Sequence, residues 1–311
     1  MEGKILITGG AGTLGHAIVR RAKEKNWDAR FTILSRDPLK LQSMQHEHPG
    51  CDYVLGDVCD LYAMHKVMWG QDIVIHAAAQ KHIPEGERNP QSTTRINVIG
   101  SRNVAMAARL NNVSHVVGIS TDKACYPVNT YGATKMLMER IFQEKNSSRS
   151  TSFHLVRYGN VLGSNGSVLK VWREMIHNDG YITATHPDMT RFWLTENDAV
   201  DLVADSVVCD GGTILIPKLG ALFMSEMAHY LYPDVEIKYS GLRPGEKMHE
   251  RLLTEEESYF VTDIGNNILL RPMSGDRNEF QIESGYTSDD PAFWITKDKL
   301  LVMLRESTLS R

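Results

Sequence analysis

The stretch GKILITGGAGTLGHAIVRRAKEK, Gly3 to Lys25, decides the fold. Residues 3–8 form a short apolar strand, and Gly9, Gly12 and Gly15 follow at a GxxGxxG spacing. Such a loop needs a residue free to take positive φ and backbone bare enough to approach a pyrophosphate. His16 to Lys25 reads as a helix, whose first amides and dipole favour a phosphate. A glycine trio alone is weak, but between a strand and a helix it reads as a dinucleotide-binding loop. Its candidate contacts are Thr8, Gly9, Gly12, Thr13, Leu14 and Gly15.

Outward from this loop, strand and helix alternate. The second strand, Arg30 to Leu34, ends in Ser35–Arg36–Asp37. Where an NAD site carries an acid for the ribose 2′-hydroxyl, this chain has Ser35 with Arg36 beside it. A hydroxyl and a guanidinium suit a 2′-phosphate, so the expected cofactor is NADP rather than NAD. Against this, Asp37 either turns inward as the acid or caps the helix beginning at Pro38.

The third strand, Asp52 to Leu55, leads into Gly56–Asp57–Val58, where Asp57 accepts from an adenine amino group or caps the next turn. The fourth, Asp72 to Ile75, runs into His76–Ala77–Ala78–Ala79, small residues that suit a cofactor's close approach or plain packing. Lys81 is placed to meet cofactor or substrate, and His82 reads as a surface residue. Ser92 to Asn111 has the apolar spacing of a buried helix, in which Asn97 orders water or backbone or merely packs.

A fifth strand, His115 to Ser120, delivers ISTDKACYPVNTYGATK, Ile119 to Lys135. Asp122 and Lys123 fall just past the strand's carboxyl end, the edge at which open parallel sheets bind ligands. Tyr131 and Lys135 are four residues apart on a helix and leave one face. This concentration points to proton transfer; the alternative is a helix with a surface charge pair. A sixth strand, Phe153 to Tyr158, precedes Gly159–Asn160.

From Val161 the alternation breaks. A loop and amphipathic helix (GSNGSVLKVWREMIHNDG) come first. An extended piece at Thr190 to Trp193 and a helix capped by Asn197 or Asp198 follow. Thr213 to Ile216 is a strand that rejoins the sheet. Arg243, in the turn GLRPGEK, clamps a diphosphate or stands in solvent. The tail from about Ser274 is polar, with a final helix from Thr296 to Glu306.

The expected fold is α/β: a Rossmann-type doubly wound parallel sheet with a smaller C-terminal substrate-binding lobe. Residues 1–160 would hold the cofactor, joined by segments near 190–220, and 161–311 would be mainly the lobe.

With 311 residues the chain buries a large core, and 42% hydrophobic with 23% charged residues is ordinary for a soluble protein. A net charge of −4 gives no basic field for nucleic acid. No apolar run approaches the ~20 residues that span a bilayer. The four cysteines and twelve histidines show no metal spacing, so no metal is expected. MEGKILITGG lacks the order of a secretion signal, and the expectation is a cytoplasmic protein with reduced thiols.

Together these motifs resemble the extended short-chain dehydrogenase/reductase superfamily, through TGGAGTLG, HAAA, NVIGSRN and Tyr131-x-x-x-Lys135. More narrowly, the chain resembles the soluble, inverting UDP-N-acetylglucosamine 4,6-dehydratases of the flagellin-sugar type. That likeness rests on SRDPLK, HAAAQKHIP, STDKACYPVNTYGATK, RYGNVLGSNGSV, MTRFW and GLRPGEKMHE.

The resemblance implies a hydride leaving carbon 4 of a UDP-sugar, with Tyr131 as base for the hydroxyl proton. Lys135 would lower the Tyr131 pKa and point toward the cofactor ribose. Within Thr121-Asp122-Lys123, the acid and lysine would then eliminate water across carbons 5 and 6, the lysine as a base whose pKa must fall. Retaining relatives show Thr-Asp-Glu there, so lysine implies inversion at carbon 5. Membrane-anchored capsule relatives usually carry Met where this chain has Tyr131. By the same resemblance Arg243 holds the diphosphate, Lys81 and Asn160 line the sugar pocket, and Gly163 to Ser167, with Ser164, border it.

A homo-oligomer is the expected assembly. Cys125–Tyr126 departs from the family pattern and puts the pocket's shape in question. The competing readings are a UDP-sugar 4-epimerase, a retaining dehydratase, and an NADP-binding sensor without turnover.

Overall fold

The computed structural model describes residues 1–146, 150–164, 166–273, 277 and 285–309. Its first half runs β1 (Gly3–Thr8), α1 (Thr13–Glu24), β2 (Ala29–Ser35), α2 (Pro38–Glu47), β3 (Asp52–Leu55), α3 (Leu61–Val67) and β4 (Ile73–His76). Then come α4 (Ile83–Arg88), α5 (Pro90–Thr94), α6 (Gly100–Leu110), β5 (His115–Ile119), α7 (Thr130–Lys145) and β6 (Ser152–Val156).

The second half begins with β7 (Asn160–Val161), α8 (Val168–Asp179), β8 (Tyr181–Ala184), β9 (Thr190–Leu194), α9 (Glu196–Ser206) and β10 (Ile214–Pro217). It continues with β11 (Gly220–Phe223), α10 (Met224–Leu231), β12 (Glu236–Tyr239), β13 (Arg251–Leu253), β14 (Val261–Ile264), β15 (Asn267–Leu270), β16 (Tyr286–Thr287) and α11 (Lys297–Leu309).

Among the described residues the main sheet has the order β14-β15-β10-β6-β5-β4-β1-β2-β3. Every pairing from β10 to β3 is parallel, and the direction of winding reverses between β1 and β4. This is the Rossmann-type doubly wound sheet, and its switch point lies between the glycine loop and the segment after β4. Helices cover both faces, so strands such as β4 (IVIH) and β6 (SFHLV) are apolar almost throughout.

Return to the sheet from the second half is larger than the 190–220 segment expected from sequence. The hairpin of β14 and β15 adds an antiparallel edge beside β10. A second core, built on Leu162, Trp172, Ile182, Trp193, Met227 and Leu300, forms the smaller lobe.

Three local expectations need correction. The helix expected over Ser92 to Asn111 is interrupted by a π turn at Arg95–Ile99, which holds Asn97. The helix at residue 196 is capped by Thr195, with Asp198 returning the bond in a capping box, rather than by Asn197 or Asp198. The final helix starts at Lys297 and reaches Leu309. Much of the polar tail read from Ser274 (274–276 and 278–284), and residue 165 of the loop from Gly163 to Ser167, lie outside the described residues.

Candidate active site

Backbone geometry explains the glycine loop. Gly9 has φ +67°, and a β-carbon there would stand 2.7 Å from the Ala78 backbone nitrogen. A β-carbon on Gly15 would be 1.8 Å from the Gly10 carbonyl oxygen, so α1 closes onto the loop only with glycine. Gly12 caps α1 without a side-chain hydrogen bond, which leaves the helix's first turn, Thr13 to Gly15, dressed for an anion rather than for a capping side chain. This cradle fits a dinucleotide pyrophosphate, with Ala77, Ala78 and Ala79 half-buried across from it.

At the end of β2, Asp37 is the helix cap: its Oδ1 accepts from the Leu39 and Lys40 amides, both at 3.1 Å. Ser35 is buried and its Oγ accepts from the Asp37 amide at 3.2 Å, while Arg36 is exposed. Asp57 Oδ1 accepts from the Cys59 amide at 3.0 Å, closing its own turn. Val58 is buried, and a β-carbon on Gly100 would meet its Cγ2 at 2.6 Å.

Thr8 is engaged from below. Its Oγ1 is 2.8 Å from His76 Nδ1, and His76 Nε2 is 2.9 Å from Ser101 Oγ. Burial, then the nearby Lys135 ammonium, pushes the His76 pKa down to about 3, so the imidazole is a neutral strut. Asn97 orders backbone: its Oδ1 accepts from the Gln80 amide at 2.8 Å. Its Nδ2 donates to the Gln80 carbonyl and to Thr134 Oγ1, each at 3.0 Å.

Past β5 the chain enters a 3₁₀ turn, Asp122–Ala124, with Thr121 as its cap. Thr121 Oγ1 donates to Asp122 Oδ1 at 3.0 Å, and the Lys123 amide donates to Thr121 Oγ1 at 3.4 Å. Asn129 caps α7 through Oδ1 to the Gly132 amide at 2.7 Å, and its Nδ2 donates to the Gly245 carbonyl at 2.7 Å. Burial pushes the Tyr131 phenol up to about 12; Lys123 opposes the rise and Asp122 adds to it.

Lys135 was expected to be the cation that acts on Tyr131. Its Nζ is 3.1 Å from Met138 Sδ in a buried setting, and Lys123 is a cation that acts on Tyr131. Burial pushes Lys135 down to about 8, partly opposed by Glu139.

Lys123 itself departs from expectation. Its Nζ is 2.9 Å from Asp122 Oδ1 and 3.2 Å from Glu250 Oε1. Burial alone would lower its pKa, but Asp122 and Glu250 together outweigh burial and hold it above the ordinary lysine value. The fall required of a lysine base is therefore reversed. The two carboxyls are driven apart: burial raises Asp122 against the opposing pull of Lys123. At Glu250, Lys123, Arg191 and Lys247 overcome burial and lower it. Asp122 Oδ2 and Glu250 Oε2 are buried without hydrogen-bond partners among the described residues.

Glu250 was missed in the sequence although it closes the quoted motif GLRPGEKMHE. Its neighbour Arg191, from MTRFW, binds the same segment through the Lys247 and Met248 carbonyls, both at 3.0 Å. Beneath the turn, Arg157 is 1% exposed and pairs with Glu139 at 2.7 Å and Glu257 at 2.8 Å. Cys125, the departure from the family pattern, packs into this cluster with Sγ 4.0 Å from Glu257 Oε2.

The structure thus joins Thr121, Asp122 and Lys123 directly, with Tyr131 within reach of their charges. Of the substrate candidates, Lys81, Ser164 and Arg243 stand on loops and Asn160 opens β7. Lys81 and Arg243 are exposed, and Asn160 and Ser164 are half-buried. The Arg243 loop meets the starts of α7 and α4 at Gly245, where a β-carbon would lie 3.1 Å from Asn129 Cβ and 3.5 Å from Ile83 Cγ2. A cavity of about 410 Å³, lined by Val128, Lys247, His249, Arg251 and Asp289 among others, adjoins this segment and does not include Lys123 or Tyr131.

Residues 5–272 match the family model described as polysaccharide biosynthesis protein. The chain is 34% identical to the inverting UDP-N-acetylglucosamine 4,6-dehydratase of Campylobacter jejuni, over 97% of each protein. It is 36% identical to a UDP-glucose 4-epimerase of Rickettsia bellii, over 87% of this chain and 83% of that protein. Among solved structures, that of Pen from Bacillus thuringiensis superposes with a TM-score of 0.90 at 29% identity, covering 99% of this chain and 98% of that one. Among the described residues no helix is long and apolar enough to cross a membrane.

Proposed function

The chain belongs to the polysaccharide biosynthesis protein family, and from that premise we propose that it dehydrates a UDP-sugar. Family membership supports activity within the nucleotide-sugar dehydratases and epimerases. The finer reading is conversion of UDP-N-acetylglucosamine to a 4-keto-6-deoxy sugar with inversion at carbon 5, on bound NADP.

One observation carries the choice of dehydratase: an Asp122–Lys123 pair at 2.9 Å, its acid fully buried, close enough to Tyr131 for both charges to act on the phenol. A 4-epimerase needs Tyr131 and Lys135 but has no use for a second acid–base pair. Elimination of water needs one, because a proton leaves carbon 5 while another joins the departing 6-hydroxyl.

When bound, a nicotinamide dinucleotide supplies reversible hydride acceptance. The residues that would hold it are Gly9 to Gly15 at the pyrophosphate and Ala77 to Ala79 opposite. Arg36 and Ser35 would take the 2′-phosphate. Exposed Arg36 supports NADP, because Asp37, the acid that would favour NAD, is already spent on the α2 cap. Tyr131 takes the proton from the 4-hydroxyl, and the resulting ketone acidifies carbon 5. Asp122 and Lys123 then divide the elimination between them. Arg243, Lys81, Asn160 and Ser164 contribute to holding the UDP-sugar.

Mass spectrometry of the product made from UDP-N-acetylglucosamine tests this reading. Loss of one water is expected. An unchanged mass with a new 4-epimer would establish the epimerase instead. Product stereochemistry by NMR then decides inversion against retention.

A further inference from the structure

Away from the site already described, His16, Glu47 and His48 each bring one ligating atom within 4.8 Å of the others. His16 stands in the first turn of α1, one residue past the glycine that closes onto the Gly10 carbonyl, and its amide donates to the Gly12 carbonyl at 3.2 Å. Glu47 is the last residue of α2, and His48 is its C-cap. The His48 backbone is fixed on both sides: its amide donates to the Met44 carbonyl at 2.8 Å, and its carbonyl accepts from Tyr53 Oη at 2.6 Å. No ligand spacing marks the group in the sequence, because His16 reaches it from a different helix.

An ion pair accounts for part of this cluster. His16 Nδ1 is 3.2 Å from Glu47 Oε2, and Glu47 Oε1 accepts from Ser43 Oγ at 3.2 Å. It does not account for His48, which is 6% exposed and whose two ring nitrogens are both buried without a hydrogen-bond partner among the described residues. A buried imidazole ordinarily has a partner. Two cations act on His48 from α1: Arg20, which is paired with Glu196 at 2.6 Å, and Lys23, which is exposed.

We propose that His16, Glu47 and His48 bind a divalent transition metal of zinc's class, which clasps the start of α1 to the end of α2. Two imidazoles and a carboxylate are donors that Zn²⁺ accepts, whereas Mg²⁺ and Ca²⁺ prefer oxygen alone. Bonds of about 2.0–2.2 Å put tetrahedral ligand atoms roughly 3.4 Å apart, so no pair needs to close by more than about 1.4 Å. The Glu47 side chain is 52% exposed, so water reaches the fourth position. The metal braces the helix turn that follows the glycine loop and takes no part in the chemistry proposed at Asp122 and Tyr131.

The test uses the full chain without an affinity tag, stripped with chelator, and Zn²⁺ itself as the probe. Calorimetric titration should show one equivalent bound per chain, and saturating Zn²⁺ should raise the melting temperature. His48→Ala should weaken binding by roughly a hundredfold or more, beyond what loss of an outer-shell partner costs, and abolish the rise in melting temperature. Glu47→Gln and His16→Asn should act in the same direction. Co²⁺ in place of Zn²⁺ should show the visible bands of a four-coordinate nitrogen and oxygen site, lost in His48→Ala. His229→Gln, at an exposed histidine of α10, should change none of these readings.

A wild-type chain that binds no Zn²⁺, or three ligand variants that bind it as the wild type does, overturns the proposal. Binding that leaves the melting temperature where it was does so too, since the metal then clasps nothing. Mg²⁺ displacing Zn²⁺ at equal concentration would overturn the class of metal assigned. Should His48→Ala not fold, His16→Asn, at a partly exposed side chain, carries the same measurements.

Discussion

Gly132 and Lys123 meet so closely that a β-carbon on the glycine would stand 2.2 Å from the lysine's carbonyl oxygen. That contact lets the first turn of α7 press onto the Asp122–Ala124 turn and brings Tyr131 to Thr121. In Gly132→Ala we expect the helix start to shift away. Overpacking should cost about 1–3 kcal/mol of stability, and kcat should fall far more than KM rises. Thermal melts and steady-state kinetics check both. An unchanged kcat would show that Tyr131 tolerates the displacement.

Arg36 should set cofactor choice. A charge-assisted contact of this kind contributes about 1.5–3 kcal/mol, so Arg36→Ala should weaken NADP binding by about tenfold to a hundredfold and leave NAD binding nearly unchanged. Calorimetric titration with each dinucleotide decides it. Equal losses for both would remove Arg36 from the 2′-phosphate.

Lys135 should leave a signature in the pH dependence of folding. Its folded pKa is pushed down to about 8 from 10.5 by burial, so between those values the unfolded chain holds a proton the folded chain lacks. This group therefore adds stability as pH rises through that window. Lys135→Met should flatten the rise, as read by denaturant melts of cofactor-free protein at several pH values from 7.5 upward. A slope identical to wild type would show that the ammonium is not buried in solution.

The Arg157 cluster should be the acid-sensitive support of the site. At Glu257, burial is overcome by Arg157 and the pKa falls below its ordinary 4.5. Its stabilisation is present above that value and is lost as pH falls through the lower folded pKa. Arg157→Met strands Glu139 and Glu257 and should cost about 3–5 kcal/mol. Replacing all three residues with apolar ones of similar volume should recover much of that loss. A small effect of Arg157→Met alone would mean that the carboxyls protonate without penalty.

Much of this molecule was legible because it is written locally. The parallel strands announce themselves as short apolar runs, and the glycine loop by a strand on one side and a helix on the other. Tyr131, Lys135, Asp122 and Lys123 sit within one stretch. What escaped notice is what depends on contacts between distant segments. Glu250 meets Lys123, and Arg157 meets Glu257 across a separation of 100 residues, with no periodicity to mark either acid as buried. His76 looked like the edge of an alanine run until Thr8 and Ser101 appeared on its two nitrogens. For Lys135, spacing fixes a helix face and leaves the ammonium's partner open, here Met138. The same holds for the charge of Lys123, which neighbours from two parts of the chain decide.

Asn129 spends its two side-chain atoms on different tasks: the oxygen starts α7 and the nitrogen holds the Gly245 carbonyl. The two bonds are separable. Outward movement of the 241–247 loop would break the nitrogen's bond together with the Arg191 bond to the Lys247 carbonyl and the Lys247 bond to the Cys125 carbonyl, while the oxygen's bond at the start of α7 does not involve the loop. One asparagine thus ties the loop that carries Arg243 to the helix that carries Tyr131, and the helix start does not depend on where the loop lies.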